Sequence, residues 1–141
     1  MANTTTVVTT WKKNMQFHST NPAGELNIDA SPEDGGDGEG LRPKALMLSA
    51  LAGCSGLDVA SLMKKMKLAV DDFKIDITAQ LTDEHPKYYH KVKVEYHFYG
   101  SNLEQKKLDK AVNLSVEKYC GVMEMFRKFA SMDIQTIYHN S

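Results

Sequence analysis

The chain has 141 residues, 42% hydrophobic and 25% charged, with a formal net charge of -1 at pH 7. One domain of that size buries roughly two-thirds of its unfolded surface, so residues 1–141 read as a single globular domain needing no structural metal, cofactor or disulfide framework. The near-neutral charge implies neither nucleic acid nor a membrane surface as partner. Only two cysteines occur, Cys54 and Cys120, outside any C-x-x-C motif, which excludes a secreted disulfide scaffold and a four-ligand zinc site.

The opening "MANTTTVVTTWKKNMQ" lacks a basic region followed by a long apolar run, and no later stretch is read as the ~20 apolar residues of a spanning helix. A cytoplasmic protein is expected. Residues 5–17 are rich in β-branched and aromatic types, with Val7, Thr9, Trp11, Lys13, Met15 and Phe17 on one side of an extended chain. "NPAG" at 21–24 reads as a turn, and Leu26 and Ile28 share a face of the next strand, giving a small antiparallel meander. "SPEDGGDGEGLR", residues 31–42, carries too many glycines and acids to bury apolar surface and reads as a flexible acidic loop.

Pro43 suits a first helical turn, and residues 43 to about 67 run as one helix. Ala45, Leu46, Met47, Leu48, Ala50, Leu51 and Ala52 surround its first half on nearly every side, so that half is expected to be buried all round. A single α+β domain leaves one side of such a helix wet, so a second body must cover it, most simply a second copy of the chain around a twofold axis. "DDFKIDITAQLT" points Phe73, Ile75, Ile77, Ala79 and Leu81 inward, and "YYHKVKVEYHFY" does the same with Tyr88, His90, Val92, Val94, Tyr96 and Phe98. "SNLE" at 101–104 offers a capping box, and Leu108, Ala111, Val112, Ser115, Val116, Tyr119 and Cys120 follow helical spacing. Gly121 ends or kinks that helix. A short helix then turns Val122, Met123, Phe126 and Phe129 inward, and "DIQTIYH" closes the chain as a strand. Strand runs and helix runs are segregated, which argues for α+β rather than a doubly wound sheet.

Cys54 sits among Ala, Gly and Ser in "LSALAGCSGLDV", where a cysteine is a small hydrophobe filling space or a thiol with room beside it. Gly53 and Gly56 each weaken a helix interior by about 1 kcal/mol relative to alanine, so something must need close approach there. Cys120 reads as core filling, with Glu117 one turn earlier favouring the protonated thiol if the two are near. His90 faces inward, His97 outward, and His18, His85 and His139 lie at loops or ends, so no metal-ligand cluster is expected. Ser55 and Asp58 lie near Cys54, but there is no nucleophile elbow, and "GGDGEG" lacks the lysine of a phosphate loop.

The segment "RPKALMLSALAGCSGLDV" resembles the OsmC/Ohr family of thiol-dependent hydroperoxide-reducing proteins, and "LSVEKYCGV" at 114–122 is similar to the second cysteine motif of its YhfA-like branch. The resemblance implies antiparallel sheets wrapped around long central helices in an intertwined homodimer, with sites at the subunit interface. It also implies that Cys54 attacks the peroxide and that Cys120 resolves the sulfenic acid to a disulfide for an external dithiol to reduce. Active members resemble one another in an arginine near the sulfur, held by a glutamate early in the long helix. Here Lys44 stands ten positions before Cys54, and the only arginines are Arg42 and Arg127. Arg42 is either a solvated loop charge or a cation folding over the site. A second reading is a non-catalytic protein of this fold that binds a small hydrophobic ligand near Met47, Leu51, Tyr119 and Met123. A third is a redox sensor whose oxidised form accumulates.

Overall fold

The computed structural model describes residues 4–141. It comprises two compact units, one up to Met47 and one over Leu48–Ser141.

The first unit is an antiparallel meander of β1 (Val8–Lys13), β2 (Gln16–Asn21) and β3 (Gly24–Ile28), followed by the 31–42 loop. The expected single extended run over 5–17 is corrected here. The chain reverses at Asn14, which takes the left-handed conformation (φ 47°) that asparagine tolerates better than most residues. Trp11 Nε1 donates to the Asn14 carbonyl at 2.8 Å, fixing the hairpin, and Trp11 and Phe17 become directly opposed across the strands.

The loop is held by Asp29. Its buried carboxylate accepts backbone N–H bonds from Ala30 (2.7 Å), Glu39 (3.0 Å) and Asp37 (3.2 Å). The Glu39 N–H is the main cause holding this carboxyl below its ordinary value of 3.8; burial opposes it, and Ala30, Asp37 and the Arg42 charge assist. A side chain at Gly36 would lie 2.0 Å from the Ala30 carbonyl oxygen, so the glycines here permit close backbone approach as well as freedom.

Helix α1 (Pro43–Lys65) leads into the second unit. It is long and apolar enough, by length and composition, to cross a membrane, which corrects the reading that no stretch qualifies. Within this chain it buries a single stripe, Leu51, Ser55 and Val59, at a spacing of four. Expected burial all round its first half is therefore not met within one chain: Ala50 and Gly53 are exposed, and beyond them Leu57 is 75% exposed.

The second sheet is β4 (Asp72–Leu81), β5 (Tyr89–Gly100) and β6 (Ser131–Asn140), in that order. β4 and β5 form the antiparallel hairpin that period-two alternation predicts, burying Val92, Val94, Tyr96 and Phe98. β6 returns parallel to β5 through α2 (Gln105–Leu114) and α3 (Gly121–Arg127), because a parallel neighbour requires a crossover and the two helices supply it. The fold is α+β, with one antiparallel and one mixed sheet.

The expected capping box does not form. α2 starts at Gln105, no side chain caps it, and Glu104 instead pairs with Lys107 at 3.2 Å. After α2 the backbone widens into a π-helical stretch over Ser115–Tyr119 and breaks at Cys120, so Gly121 opens α3 instead of ending a helix. Arg127 Nη1 donates to the Val116 carbonyl at 2.7 Å and satisfies that widened turn. Leu51, Val59, Leu108, Val112, Met123 and Phe126 join the inward face of β5 in one core.

Candidate functional site

Period-four burial fixes how α1 presents its chemistry. The stripe Leu51–Ser55–Val59 faces the core, so Cys54, one position before Ser55, comes to the border of that stripe and is half-buried, with Asp58 one turn beyond it. Facing them is the end of the π-helical stretch, where the break at Cys120 (φ -80°, ψ 103°) turns its sulfur inward, 3% exposed. Cys120 Sγ accepts the Met123 N–H at 3.3 Å and lies beside Cys54, which packs against the same core cluster. Both thiols are free. Burial pushes the Cys120 thiol from 9.0 up to about 11; the Cys54 contact and the Asp58 charge act in the same direction, and only the Met123 N–H opposes them. The acidic neighbour is thus Asp58, not the Glu117 that the sequence offered.

A buried polar chain runs beside the sulfurs. Ser55 Oγ is 2.6 Å from Tyr96 Oη and 2.8 Å from Ser115 Oγ, and Ser115 Oγ reaches Asp58 Oδ2 at 3.0 Å. Both serines are fully buried, so these bonds satisfy hydroxyls that would otherwise each cost about 1–3 kcal/mol. Burial is also the main reason that the Tyr96 phenol rises from 10.0 to about 12, with Cys120 and Asp58 contributing and Ser55 opposing. Asp58 joins this chain to solvent, since it lines a cleft of about 310 Å³ with Ser61, Leu62, Lys65 and Tyr119.

The residues expected at the site separate into groups. Cys54 and Cys120 are brought together. Tyr119 stands 53% exposed at the cleft, whereas Leu51 and Met123 are sealed in the core at 0% and offer no surface to a ligand. Arg42 and Met47 belong to the first unit. There Arg42 Nη1 donates to the Gly40 carbonyl at 2.9 Å, and Met47 is 48% exposed. Sequence reasoning missed Tyr96 and Ser115 as partners of the site. Their signal was present only as two hydroxyls at inward positions of otherwise apolar faces.

The description "OsmC-like protein" belongs to the family model that matches residues 36–135. Over 119 residues the chain is 32% identical to Protein YhfA of Escherichia coli K12, covering 84% of this chain and 86% of that protein. A hypothetical protein from Aquifex aeolicus VF5 superposes with a TM-score of 0.87 at 30% identity, covering 99% of each chain. An organic hydroperoxide resistance protein OsmC from Legionella pneumophila shares the fold at 18% identity, with a TM-score of 0.71 over 97% of this chain and 98% of that one. The match over residues 36–135 takes in both cysteines and the elements that carry them, and the chain belongs to the OsmC-like protein family.

Proposed function

We propose that this protein is a thiol-dependent peroxidase that reduces organic hydroperoxides, with Cys54 as the attacking thiol and Cys120 as the resolving one. The observation that carries the reading is the contact between two free thiols beside a cleft open to solvent. Burial holds the proton on Cys120 to about pH 11, which suits it to the later, resolving step and leaves the half-buried Cys54 as the attacking thiol. Lys65 adds a positive charge to the cleft, but eleven residues along α1 from Cys54, so it does not replace the family's arginine at the sulfur. The Legionella neighbour named for hydroperoxide resistance supports the same chemistry.

Cys54 thiolate attacks one peroxide oxygen, the S–O bond forms, the O–O bond breaks, and the departing alkoxide takes a proton to become an alcohol. The sulfur is oxidised to a sulfenic acid while the peroxide is reduced by two electrons. Cys120, deprotonated in the step, attacks that sulfur; an S–S bond forms and hydroxide leaves with the proton as water. An external dithiol then reduces the disulfide by exchange. This cycle starts from reduced thiols, which suits the cytoplasm.

We further propose that the active species is a homodimer. α1 exposes Ala50, Gly53, Leu57 and Ala60 on one side, and a Cβ added at Gly53 would meet nothing within 4 Å inside the chain. The glycine therefore has no local packing reason, whereas a second copy of α1 approaching closely would supply one. In the first unit Val8, Trp11 and Phe17 are likewise exposed, more apolar surface than a lone chain ordinarily leaves wet. The cleft's Asp58, Ser61 and Lys65 suit a polar peroxide head better than a wholly apolar ligand. The test is turnover of cumene hydroperoxide with a dithiol: Cys54→Ser is expected to lose it, and equal turnover by variant and wild type would reject the assignment.

A further inference from the structure

On the solvent side of the second sheet, Asp76 of β4 lies directly across from Glu95 of β5 in the strand register. Like charges in direct cross-strand opposition are destabilising, so this pair calls for a cation. One is partly at hand: Lys74 Nζ is 3.2 Å from Asp76 Oδ2, but its side chain is 54% exposed and free to swing away. The third group is His97, on the same face two residues after Glu95, whose Nε2 is 3.4 Å from Asp76 Oδ2. Its side chain is only 13% exposed, and Nε2 itself is buried with no hydrogen-bond partner. One oxygen of each carboxylate and one nitrogen of His97 lie within 4.8 Å of one another.

From this arrangement we infer that Asp76, Glu95 and His97 form a binding site for a divalent first-row transition-metal ion, separate from the thiol pair. Two oxygens and an imidazole nitrogen are a borderline donor set that zinc and its neighbours accept and that calcium does not favour. Two ligands about 2.1 Å from a tetrahedral ion stand about 3.4 Å apart, which is the separation already held between Asp76 and His97. His97 is also oriented as a ligand should be. Its Nδ1 is 2.9 Å from His139 Nε2, and His139 is in turn stacked on Tyr99 with ring centroids 4.3 Å apart. A second group on the far ring nitrogen fixes the direction of a metal-bound imidazole. This brings His97, read from the sequence as outward-facing, against His139, read as lying at the chain's end; His139 reaches the site because β6 lies parallel to β5. Solvent waters complete the coordination on the open side.

The test is titration of the reduced, metal-free protein with cobalt(II) and zinc(II), followed by calorimetry and by the cobalt absorption spectrum. One ion per chain is expected, without the sulfur-to-cobalt band that a cysteine site would give. Asp76→Asn/Glu95→Gln abolishes binding yet folds at least as stably as the metal-free wild type, because the like-charge pair is gone. His139→Gln, which removes no ligand, weakens binding by about tenfold or more. Lys74→Ala, which removes a competitor for Asp76, tightens it. The proposal is overturned by absence of stoichiometric binding, by binding that survives in the folded double variant, or by a thiolate band that vanishes in Cys54→Ser. Peroxidase activity is not the readout, so the thiol assignment stands or falls separately.

Discussion

Substituting Gly53 by alanine distinguishes a lone chain from a dimer by the sign of one number. Inside the chain the new methyl meets nothing within 4 Å, so the lone-chain effect is only that of helix propensity. Replacing a mid-helix glycine by alanine stabilises by about 1 kcal/mol, or about 4 °C in Tm for a domain of this size. If a second α1 packs against Ala50, Gly53 and Leu57, the same methyl overpacks that contact and costs about 1–3 kcal/mol, which offsets the propensity gain or exceeds it. Gly56 is the internal control, since its Cβ would meet only the terminal Cδ1 of Ile75, at 3.4 Å, within the chain. The assay is light scattering coupled to gel filtration, with thermal melts at several protein concentrations. A dimeric wild type is expected, with Gly53→Ala shifted toward monomer and melting no higher. A monomeric wild type, or a Gly53→Ala protein that melts about 4 °C higher with unchanged mass, would refute the reasoning.

Three further outcomes follow from the site and the loop. Ser115→Ala removes the donor to Asp58 and the partner of Ser55, both in a buried setting, and is expected to cost about 1–3 kcal/mol in urea unfolding. The Cys120 thiol and the Tyr96 phenol are raised to about 11 and about 12 from 9.0 and 10.0, so their protonated forms are favoured by folding. That stability is fully present below pH 9 and is lost as pH rises through 11 to 12; in Cys120→Ala the decline begins later, which alkaline unfolding curves will show. Asp29 has the opposite sign. Its folded value lies below 3.8, so its contribution is present above that pH and is lost as the pH falls through the folded value. Asp29→Asn should accordingly flatten the acid limb and increase amide exchange of Asp37 and Glu39, whose N–H groups its carboxylate accepts.

The strands of the second sheet were legible because alternation of period two leaves little choice of face: β5 buries Val92, Val94, Tyr96 and Phe98, and β4 half-buries Phe73, Ile75, Ile77, Ala79 and Leu81, whereas Tyr88, expected inward, lies before β5 and is 49% exposed. The start of α1 was legible for a similar reason, as Pro43 begins the helix observed. What escaped the sequence depends on contacts between distant positions. The hairpin at Asn14 lacks glycine and proline, and its one signal is an asparagine able to take positive φ. The parallel course of β6 has no local signature, and with it went the meeting of His97 and His139. Cys54 and Cys120 were singled out as residues, but their contact depends on the widened turn at Ser115–Tyr119, which helical spacing does not reveal. Ser101 and Glu104 show the converse failure, a matching capping motif whose helix begins one residue after the glutamate.

The central claim is that Cys54 and Cys120 act together on a peroxide. Peptide mass spectrometry after one equivalent of cumene hydroperoxide is added to reduced protein, with alcohol measured alongside, tests it most directly. The account predicts one Cys54–Cys120 disulfide and one alcohol for each hydroperoxide consumed. Consumption that leaves both thiols reduced, or oxidation of Cys54 to sulfinic acid with Cys120 untouched, would contradict it.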